Sequence, residues 1–369
     1  MKKPYLVIPT LIEQPTWGGD YILKIKNWQD KPALRDLKIG QSYELYGNSL
    51  LTKFITNSSD PVFSSTLTET VTLSSLVEKN PEQILGKKIF KKYGNMPLLI
   101  KLNQARGNSF QLHVKPGTQH SRWKPKPESW YFLEDGYISC GIKKGINIST
   151  YKQCCVNIEG KMRELSNQVL TGQKDIKSAR EEAQKYIKEQ NPWQFINLYK
   201  TNKYDLIDLS QGGVHHSWEE NSDLPLGNIV YEVQVDVMDE FCTIRGFDQG
   251  KIKDDGSIRE IHVNDYFEFM DTSLEMNNIN NLKRTRQGNN LLQTPYYSLD
   301  ILELENKHSE SLTDSFHHIY VQEGRVEIVA SEGSIVLTKG HSCFIPYETG
   351  TYTITPQEKS TLLKTYISI

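Results

Sequence analysis

IYVQEGRVEIVASEGSIVLTKGHSCFIPYETGTYTIT, residues 319–355, is the stretch that most clearly decides the fold of this chain. Short segments of alternating apolar and polar residues are separated by Glu-Gly, Ser-Glu-Gly and Lys-Gly. A period of two is typical of strands that bury one face, and glycine-containing breaks are typical of turns. The stretch therefore predicts a small antiparallel barrel or sandwich.

The sequence before this stretch also indicates strands, with two helical interruptions. Apolar or alternating runs with Gly, Asn or Pro at their ends occupy residues 4–9, 40–47, 96–103 and 109–115. Residues 66–95 and 174–200 instead show the apolar spacing and the residue types of helices. The predicted fold class is all-β with inserted helical segments.

A polar, asparagine-rich stretch at 271–295 separates the C-terminal strands from the rest of the chain. Such a composition is typical of a linker. We therefore predict a larger domain at 1–275, a linker at 276–295 and a C-terminal β-barrel at 296–369.

Composition and charge exclude several classes of partner. The chain has 369 residues, with 43 basic against 45 acidic side chains and a net charge of -2. This balance gives no bulk attraction to nucleic acid or to an anionic membrane. The five cysteines form no C-x-x-C pair, and no apolar run approaches the length of a membrane span. The N-terminus makes a poor signal peptide, so we expect a cytoplasmic protein.

The sequence SFQLHVKPG at 109–117 places two metal-binding side chains two residues apart in a strand-like run. Gln111 and His113 therefore lie on one face of that strand. Glu128 follows in KPESWYF, and His215 follows two glycines in GGVHHS. These four ligands suit Zn²⁺, with Mn²⁺, Fe²⁺ or Co²⁺ as alternatives. Taken singly, each of these side chains is more typical of a packed or solvated residue than of a ligand.

An ordered set of short motifs resembles the type I mannose-6-phosphate isomerases (phosphomannose isomerases), a family of the cupin superfamily. The matching pieces are PTWGG at 15–19, IGQSYEL at 39–45, PLLIKLNQA at 97–105, SFQLH at 109–113, KPESWYFL at 126–133, GGVHHS at 212–217, IRGFDQGK at 244–251 and REIHV at 259–263. EGRVEIV at 323–329 and KGHSCFIP at 339–346 resemble the second cupin domain of the family, so the match spans nearly the whole chain. The resemblance implies a double cupin, that is, two jelly-roll barrels. It also implies one metal ion bound by Gln111, His113, Glu128 and His215.

The same resemblance implies roles for six further residues. It places Arg245, Lys126 and Glu232 among the catalytic residues, with either Lys126 or Glu232 as the base. It places Ser109, Lys101 and Lys251 at the bound substrate. The expected activity is the metal-dependent interconversion of mannose 6-phosphate and fructose 6-phosphate through an enediolate. The expected partner is thus a small sugar phosphate, and the expected assembly is a monomer or a homodimer.

Two other interpretations stay open. The chain resembles a non-catalytic cupin that binds a sugar or sugar phosphate, because Val114 and Lys115 follow His113 where the family usually has Pro and Asp. It also resembles other cupin metalloenzymes, such as Fe²⁺ oxygenases. The glutamine ligand argues mildly against an oxygenase, since those enzymes favour all-histidine or two-histidine-one-carboxylate sites.

Overall fold

The fold is taken from a computed structural model, which describes residues 2–14, 17–52, 70–106, 109–217, 224–248 and 251–368. More of these residues lie in strands than in helices, so the predicted β character is confirmed. The motif PTWGG lies partly outside the described residues, because 15 and 16 fall in a gap, and so does IRGFDQGK at 249 and 250.

The strands are named in chain order. They are β1 (Tyr5–Ile8), β2 (Thr10–Glu13), β3 (Ile39–Leu45), β4 (Leu50–Thr52), β5 (Thr70–Thr72), β6 (Leu98–Ala105), β7 (Phe110–His113), β8 (Glu128–Phe132), β9 (Gly136–Ile142), β10 (Ile196–Thr201), β11 (Leu206–Asp208), β12 (Gly213–Ser217), β13 (Asn228–Val235), β14 (Ile244–Phe247), β15 (Lys283–Arg284), β16 (Asn290–Gln293), β17 (Ser298–Leu304), β18 (His308–Ser311), β19 (His317–Glu323), β20 (Arg325–Ala330), β21 (Gly333–Thr338), β22 (Ser342–Ile345), β23 (Thr351–Pro356) and β24 (Ser360–Tyr366).

The helices are named in the same way. They are α1 (Tyr21–Ile25), α2 (Leu73–Lys79), α3 (Pro81–Leu85), α4 (Lys87–Tyr93), α5 (Ile148–Leu170), α6 (Ile176–Gln190), α7 (Asp239–Cys242), α8 (Val263–Phe269) and α9 (Ile279–Leu282), with short 3-10 helices at Pro192–Phe195 and Tyr347–Thr349. Among these helices, none is long and apolar enough to cross a membrane.

The chain divides into two compact units that are not consecutive in sequence. The first unit is Met1–Gln104, Val230–Asp236 and Arg284–Ile369, and the second is Ala105–Ile229 and Val237–Lys283. The first unit joins both ends of the chain because β1 pairs with β22, with Leu6 opposite Cys343. The predicted domains 1–275 and 296–369, by contrast, follow the chain order.

The first unit contains the strands predicted from the opening stretch. Its eight-stranded sheet has the order β16–β17–β24–β19–β22–β1–β4–β5, and its four-stranded sheet has the order β18–β23–β20–β21. Ile319 and Leu362 of the larger sheet and Ile328 and Ile354 of the smaller sheet share one buried core. The predicted antiparallel pattern is therefore confirmed. Strands β2, β3, β6 and β13 lie side by side in a further sheet.

The second unit is built on the five-stranded sheet β10–β9–β12–β7–β14. Phe110, Leu112 and Val214 of this sheet form one core with Ile158 and Leu165 of α5. Helix α5 therefore covers this side of the sheet. Because side chains alternate along a strand, Gln111, His113 and His215 belong to the opposite side.

The predicted helical segments are confirmed in part. Residues 66–69 lie outside the described part of the chain, and the rest of 66–95 forms β5 and three short helices. The breaks fall at Asn80-Pro81 and at Gly86, whose positive φ of 95° glycine adopts readily. Helix α6 confirms the first half of 174–200, but the second half was wrong. The helix ends at Asn191 in a left-handed conformation, Pro192 follows, and the chain continues as β10.

Candidate metal centre

The registers of three neighbouring strands place the candidate site residues in one row. His215 of β12 lies opposite Gln111 of β7, and Arg245 of β14 lies opposite Gln111 on the other side. Residues directly opposite in an antiparallel pair have side chains on the same face. His113 lies two residues after Gln111 and shares this face. The sheet therefore presents Arg245, Gln111, His215 and His113 on the side away from α5.

Glu128, the first residue of β8, brings a carboxylate to the two histidines. His215 Nε2 lies 2.7 Å from Glu128 Oε1, and His113 Nε2 lies 3.6 Å from Glu128 Oε2. One ligand atom from each of these three buried residues lies within 4.8 Å of the other two. The Nε2 atom of Gln111 lies 3.5 Å from His215 Nε2. A half-turn of this amide would present its oxygen as a fourth ligand.

Backbone carbonyls decide which nitrogen of each histidine faces the cluster. His113 Nδ1 lies 2.6 Å from the carbonyl oxygen of Cys242, and His215 Nδ1 lies 3.1 Å from that of Gly213. A carbonyl only accepts, so each Nδ1 carries a hydrogen and donates it. In a neutral imidazole the lone pair is then on Nε2, the nitrogen that faces Glu128. His215 Nε2 lies at hydrogen-bond distance, 2.7 Å, from Glu128 Oε1, so a proton or a metal ion must lie between these two atoms.

Burial and neighbouring charges set the protonation states of the cluster. Burial lowers the pKa of His113 and so favours its neutral form. Burial raises the pKa of Glu128, but Lys126 and His113 outweigh it and hold this pKa well below its usual value. His113 Nε2 has no hydrogen-bond partner among the residues that the structure describes. Nitrogen lone pairs thus converge on a carboxylate, and imidazole with carboxylate oxygen is a ligand set that zinc takes in proteins. These residues fit a divalent metal ion.

Lys126 contacts the carboxylate of the cluster directly. Its Nζ lies 2.6 Å from Glu128 Oε2, and its side chain is 10% exposed. Arg245 is similarly little exposed and forms an ion pair with Asp239 of α7. The surrounding protein raises the pKa of the exposed Asp239 carboxylate, but Arg245 and a hydrogen bond from Thr243 lower it to about 2.

The other residues implied by the resemblance lie in different surroundings. Lys101 and Glu232 belong to the first unit, where Lys101 Nζ lies 3.2 Å from Glu232 Oε1 and Asn103 Nδ2 donates to Glu232 Oε2 at 2.7 Å. Ser109 is buried just before β7. Lys251 lines a small cavity with Ile158 and Met162, whose side chains belong to α5, and its role stays a prediction.

His216, the neighbour of His215, belongs to the opposite side of the sheet. Its ring packs edge-on against Phe110 at 4.3 Å, and its Nδ1 contacts the hydroxyl of Ser139. Burial, followed by His215 and Lys251, lowers the pKa of His216 well below its usual value. Its surroundings are those of a packed core histidine.

Sequence reasoning missed two contributors to this site. The carbonyl of Cys242 orients His113, and the carboxylate of Asp239 engages Arg245. A backbone carbonyl leaves no signal in the residue type. Asp239 was detectable in principle, because a carboxylate six residues before an arginine of an apolar strand is a candidate ion-pair partner.

Fold and cluster together define a mostly β protein with a candidate metal centre. A family described as mannose-6-phosphate isomerase, cupin domain, matches residues 288–362. No curated protein matches the chain significantly. The resemblance to mannose-6-phosphate isomerases is thereby confirmed for the cupin domain at residues 288–362, the part of the chain that contains EGRVEIV and KGHSCFIP.

The chain is similar in structure to several solved mannose-6-phosphate isomerases. The enzyme from Bacillus subtilis is 18% identical with a TM-score of 0.66, over 99% of this chain and 100% of that one. A phosphomannose isomerase mutant from Salmonella typhimurium is 15% identical with a TM-score of 0.67 over the full length of both chains. A zinc-bound mannose 6-phosphate isomerase is 15% identical with a TM-score of 0.66, also over both full lengths. At these identities the similarity establishes the fold.

Proposed function

We propose that this protein is a metal-dependent aldose–ketose isomerase that interconverts mannose 6-phosphate and fructose 6-phosphate. The observation that carries the proposal is the buried cluster of His113, Glu128 and His215 on the sheet face that also bears Arg245. The same chain has the fold of solved mannose-6-phosphate isomerases, one of them zinc-bound. We propose zinc as the ion and Gln111 as its fourth ligand. We also propose that the β-barrel at 296–369 is the second cupin of the pair.

A bound zinc ion would supply Lewis-acid polarisation of the substrate carbonyl. The protein side chains perform the remaining work. Isomerisation removes the proton from C2 of the aldose, which leaves an enediolate, and returns a proton to C1 to give the ketose. A carboxylate or a neutral amine is suited to this transfer. Glu232 and Lys126 are the two candidates.

Both candidates lie in ion pairs with an oppositely charged side chain. Lys126 Nζ lies 2.6 Å from Glu128 Oε2. Glu232 accepts hydrogen bonds from Asn103 and Lys101. Each candidate is thus engaged in an ion pair, and Glu232 and Lys126 stay alternatives for the base. Lys126 also supplies positive charge beside the metal ligands. Arg245 would stabilise the enediolate, and Ser109 and Lys101 would bind the phosphate.

The test combines elemental analysis with an enzyme assay. Purified protein is stripped of metal by a chelator, reloaded with zinc and assayed with mannose 6-phosphate by coupling fructose 6-phosphate formation to a reporter enzyme. We expect about one zinc per chain and turnover only in the reloaded protein. Zinc-loaded protein that binds the sugar phosphate without turning it over would disprove the isomerase proposal.

One observation favours a second candidate, a metal-free sugar-phosphate-binding cupin. The ammonium of Lys126 already contacts the carboxylate that the metal would use. Such a pair neutralises the buried charge of Glu128 without an ion. Protein that retains no zinc after dialysis, yet binds mannose 6-phosphate in calorimetry, would favour this candidate.

A further inference from the structure

One short turn contacts two residues of the candidate site at once. It consists of α7 and the following Thr243. The carbonyl of Cys242 accepts the Nδ1–H hydrogen bond of His113 at 2.6 Å. The carboxylate of Asp239, at the other end of the turn, accepts from Arg245 Nη2 through Oδ2. Its Oδ1 accepts from the hydroxyl of Thr243 at 2.6 Å, which fixes the plane of the carboxylate.

The contact between Asp239 and Arg245 contributes little to folding. The Asp239 side chain is 68% exposed, whereas the Arg245 side chain is 13% exposed. Ion pairs with such an exposed partner have small effects on stability, because water screens the attraction. The Asp239 carboxylate therefore has a different main consequence, which is the orientation of the guanidinium.

The Nε–H of the Arg245 guanidinium is available to another partner. Arg245 Nε is buried and has no hydrogen-bond partner within the described ranges of the chain. Buried N–H groups are almost always hydrogen-bonded, so an unpaired one indicates an acceptor that a ligand brings. Since the guanidinium is planar, a carboxylate that holds Nη2 also fixes the direction in which the Nε–H points.

We propose that Asp239 is a positioning residue for Arg245. It holds the Nη2 side of the guanidinium so that the Nε–H remains available to an oxygen of the sugar phosphate or of its enediolate. Thr243 supports Asp239 by fixing its carboxylate. The inference rests on the proposed function, because it assigns Arg245 to the substrate. The turn supports His113 through the backbone carbonyl of Cys242, so side-chain changes at Asp239 leave that hydrogen-bond acceptor in place.

The decisive experiment is a double-mutant cycle. Asp239→Ala, Arg245→Ala and the double variant are compared with the wild type in zinc content, melting temperature, kcat and KM. Asp239→Ala should lower kcat on the order of tenfold, with zinc content and melting temperature unchanged. The double variant should be no slower than Arg245→Ala alone, because Asp239 acts only through the arginine. Glu240→Gln, an exposed carboxylate of the same turn, is the matched control and should keep full activity.

Two results would overturn the proposal. One is a double variant whose loss is the product of the two single losses, and the other is an Asp239→Ala protein with wild-type kcat. A crystal structure of Asp239→Ala provides a test that needs no turnover. If the wild type does not turn over sugar phosphates, the proposed function fails, and the crystal structure alone decides. A displaced Arg245 guanidinium would then support the positioning role, and an unmoved one would refute it.

Discussion

The Nδ1 atom of His113 donates a hydrogen bond to the carbonyl of Cys242 at 2.6 Å, and this contact fixes the chemistry of the imidazole. It holds the ring in one orientation and leaves the lone pair of Nε2 facing Glu128. Backbone carbonyls commonly orient metal-binding histidines in this way. His215 has a comparable support in the carbonyl of Gly213. The two imidazoles are thus positioned by the backbone before any ion is bound.

Substitution of His215 should abolish metal binding, whereas substitution of its neighbour should not. His215→Ala removes a ligand nitrogen 2.7 Å from Glu128, so the zinc content should fall from about one ion per chain to near zero. His216→Ala should keep the zinc, because its ring packs against Phe110 on the opposite side of the sheet. Elemental analysis after dialysis measures both contents.

The second variant also separates binding from stability. His216 is completely buried, so its replacement by alanine leaves a cavity and should cost about 2–4 kcal/mol of unfolding free energy. A zinc-free His216→Ala protein that is still folded would contradict the assignment of the two faces.

The buried ion pair of Lys26 and Glu44 should be essential to the first unit. The two groups lie 2.7 Å apart with side chains 0% and 1% exposed, and Lys26 also donates to the carbonyl of Gly340 at 2.6 Å. Glu44→Ala leaves a buried ammonium without its counter-charge, which should cost about 3–5 kcal/mol. Tryptophan fluorescence, to which the buried Trp28 contributes, follows urea-induced unfolding; the Trp28 ring centroid lies 5.7 Å from Lys26 Nζ.

Removing both charges should be milder than removing one. Lys26→Met combined with Glu44→Leu replaces the pair by apolar groups of similar size. Such replacements are often neutral or stabilising. A double variant that is less stable than Glu44→Ala would contradict this prediction. It would mean that the attraction within the ion pair stabilises the fold by more than the burial of its two charges costs.

Buried histidines should make the first unit sensitive to acid. Burial lowers the pKa of His317, His318 and His341 to about 3 in each case. The unfolded chain has a histidine pKa of about 6.5, so it binds more protons than the folded state between these values. Stability should be full above pH 6.5 and should fall by about 1.4 kcal/mol per pH unit for each histidine as the pH drops towards 3.

Urea midpoints measured across this pH range test the prediction. His318→Gln should reduce the slope of the unfolding free energy against pH by the equivalent of about one proton, because it removes one buried titrating group. An unchanged slope would contradict the prediction, because it would show that burial of His318 does not contribute to the pH dependence of stability.

The sequence predicted the strands better than the helices, for a physical reason. Alternation is a local property, and the pattern at 319–355 became β19 to β23, interrupted by the short 3-10 helix at Tyr347–Thr349. Helix α5 was missed, although Tyr151, Cys155, Ile158, Met162 and Leu165 repeat at helical spacing along its buried face. Cysteine is an apolar residue in such a position. Once it is counted so, the period of the helix is visible.

The site was predictable only as far as local spacing and the resemblance reached. The two-residue spacing of Gln111 and His113 is enough to place them on one face. The meeting of His113 with Glu128 and His215 depends on strand order and register, which lie beyond local pattern. The pairing of β1 with β22 of the C-terminal sheet is likewise a long-range contact that local pattern does not predict. No composition rule indicates that Leu6 lies opposite Cys343.

Substitution of Arg245 is the most direct test of the proposed function. Its strand lies beside β7, in register with Gln111, and its Nε–H is buried. Arg245→Ala should keep the fold and the zinc, while kcat falls on the order of 100–1000-fold, because one donor to a developing oxyanion is lost. Arg245→Lys keeps the positive charge but loses the planar fork, so its kcat should be intermediate.

The opposing interpretation is that Arg245 is only an ion-pair partner of Asp239. On that interpretation the alanine variant would lose activity only in proportion to unfolded protein. Melting temperature, zinc content and kcat measured on one preparation distinguish the two. A folded, zinc-loaded Arg245→Ala enzyme with wild-type turnover would exclude the catalytic role.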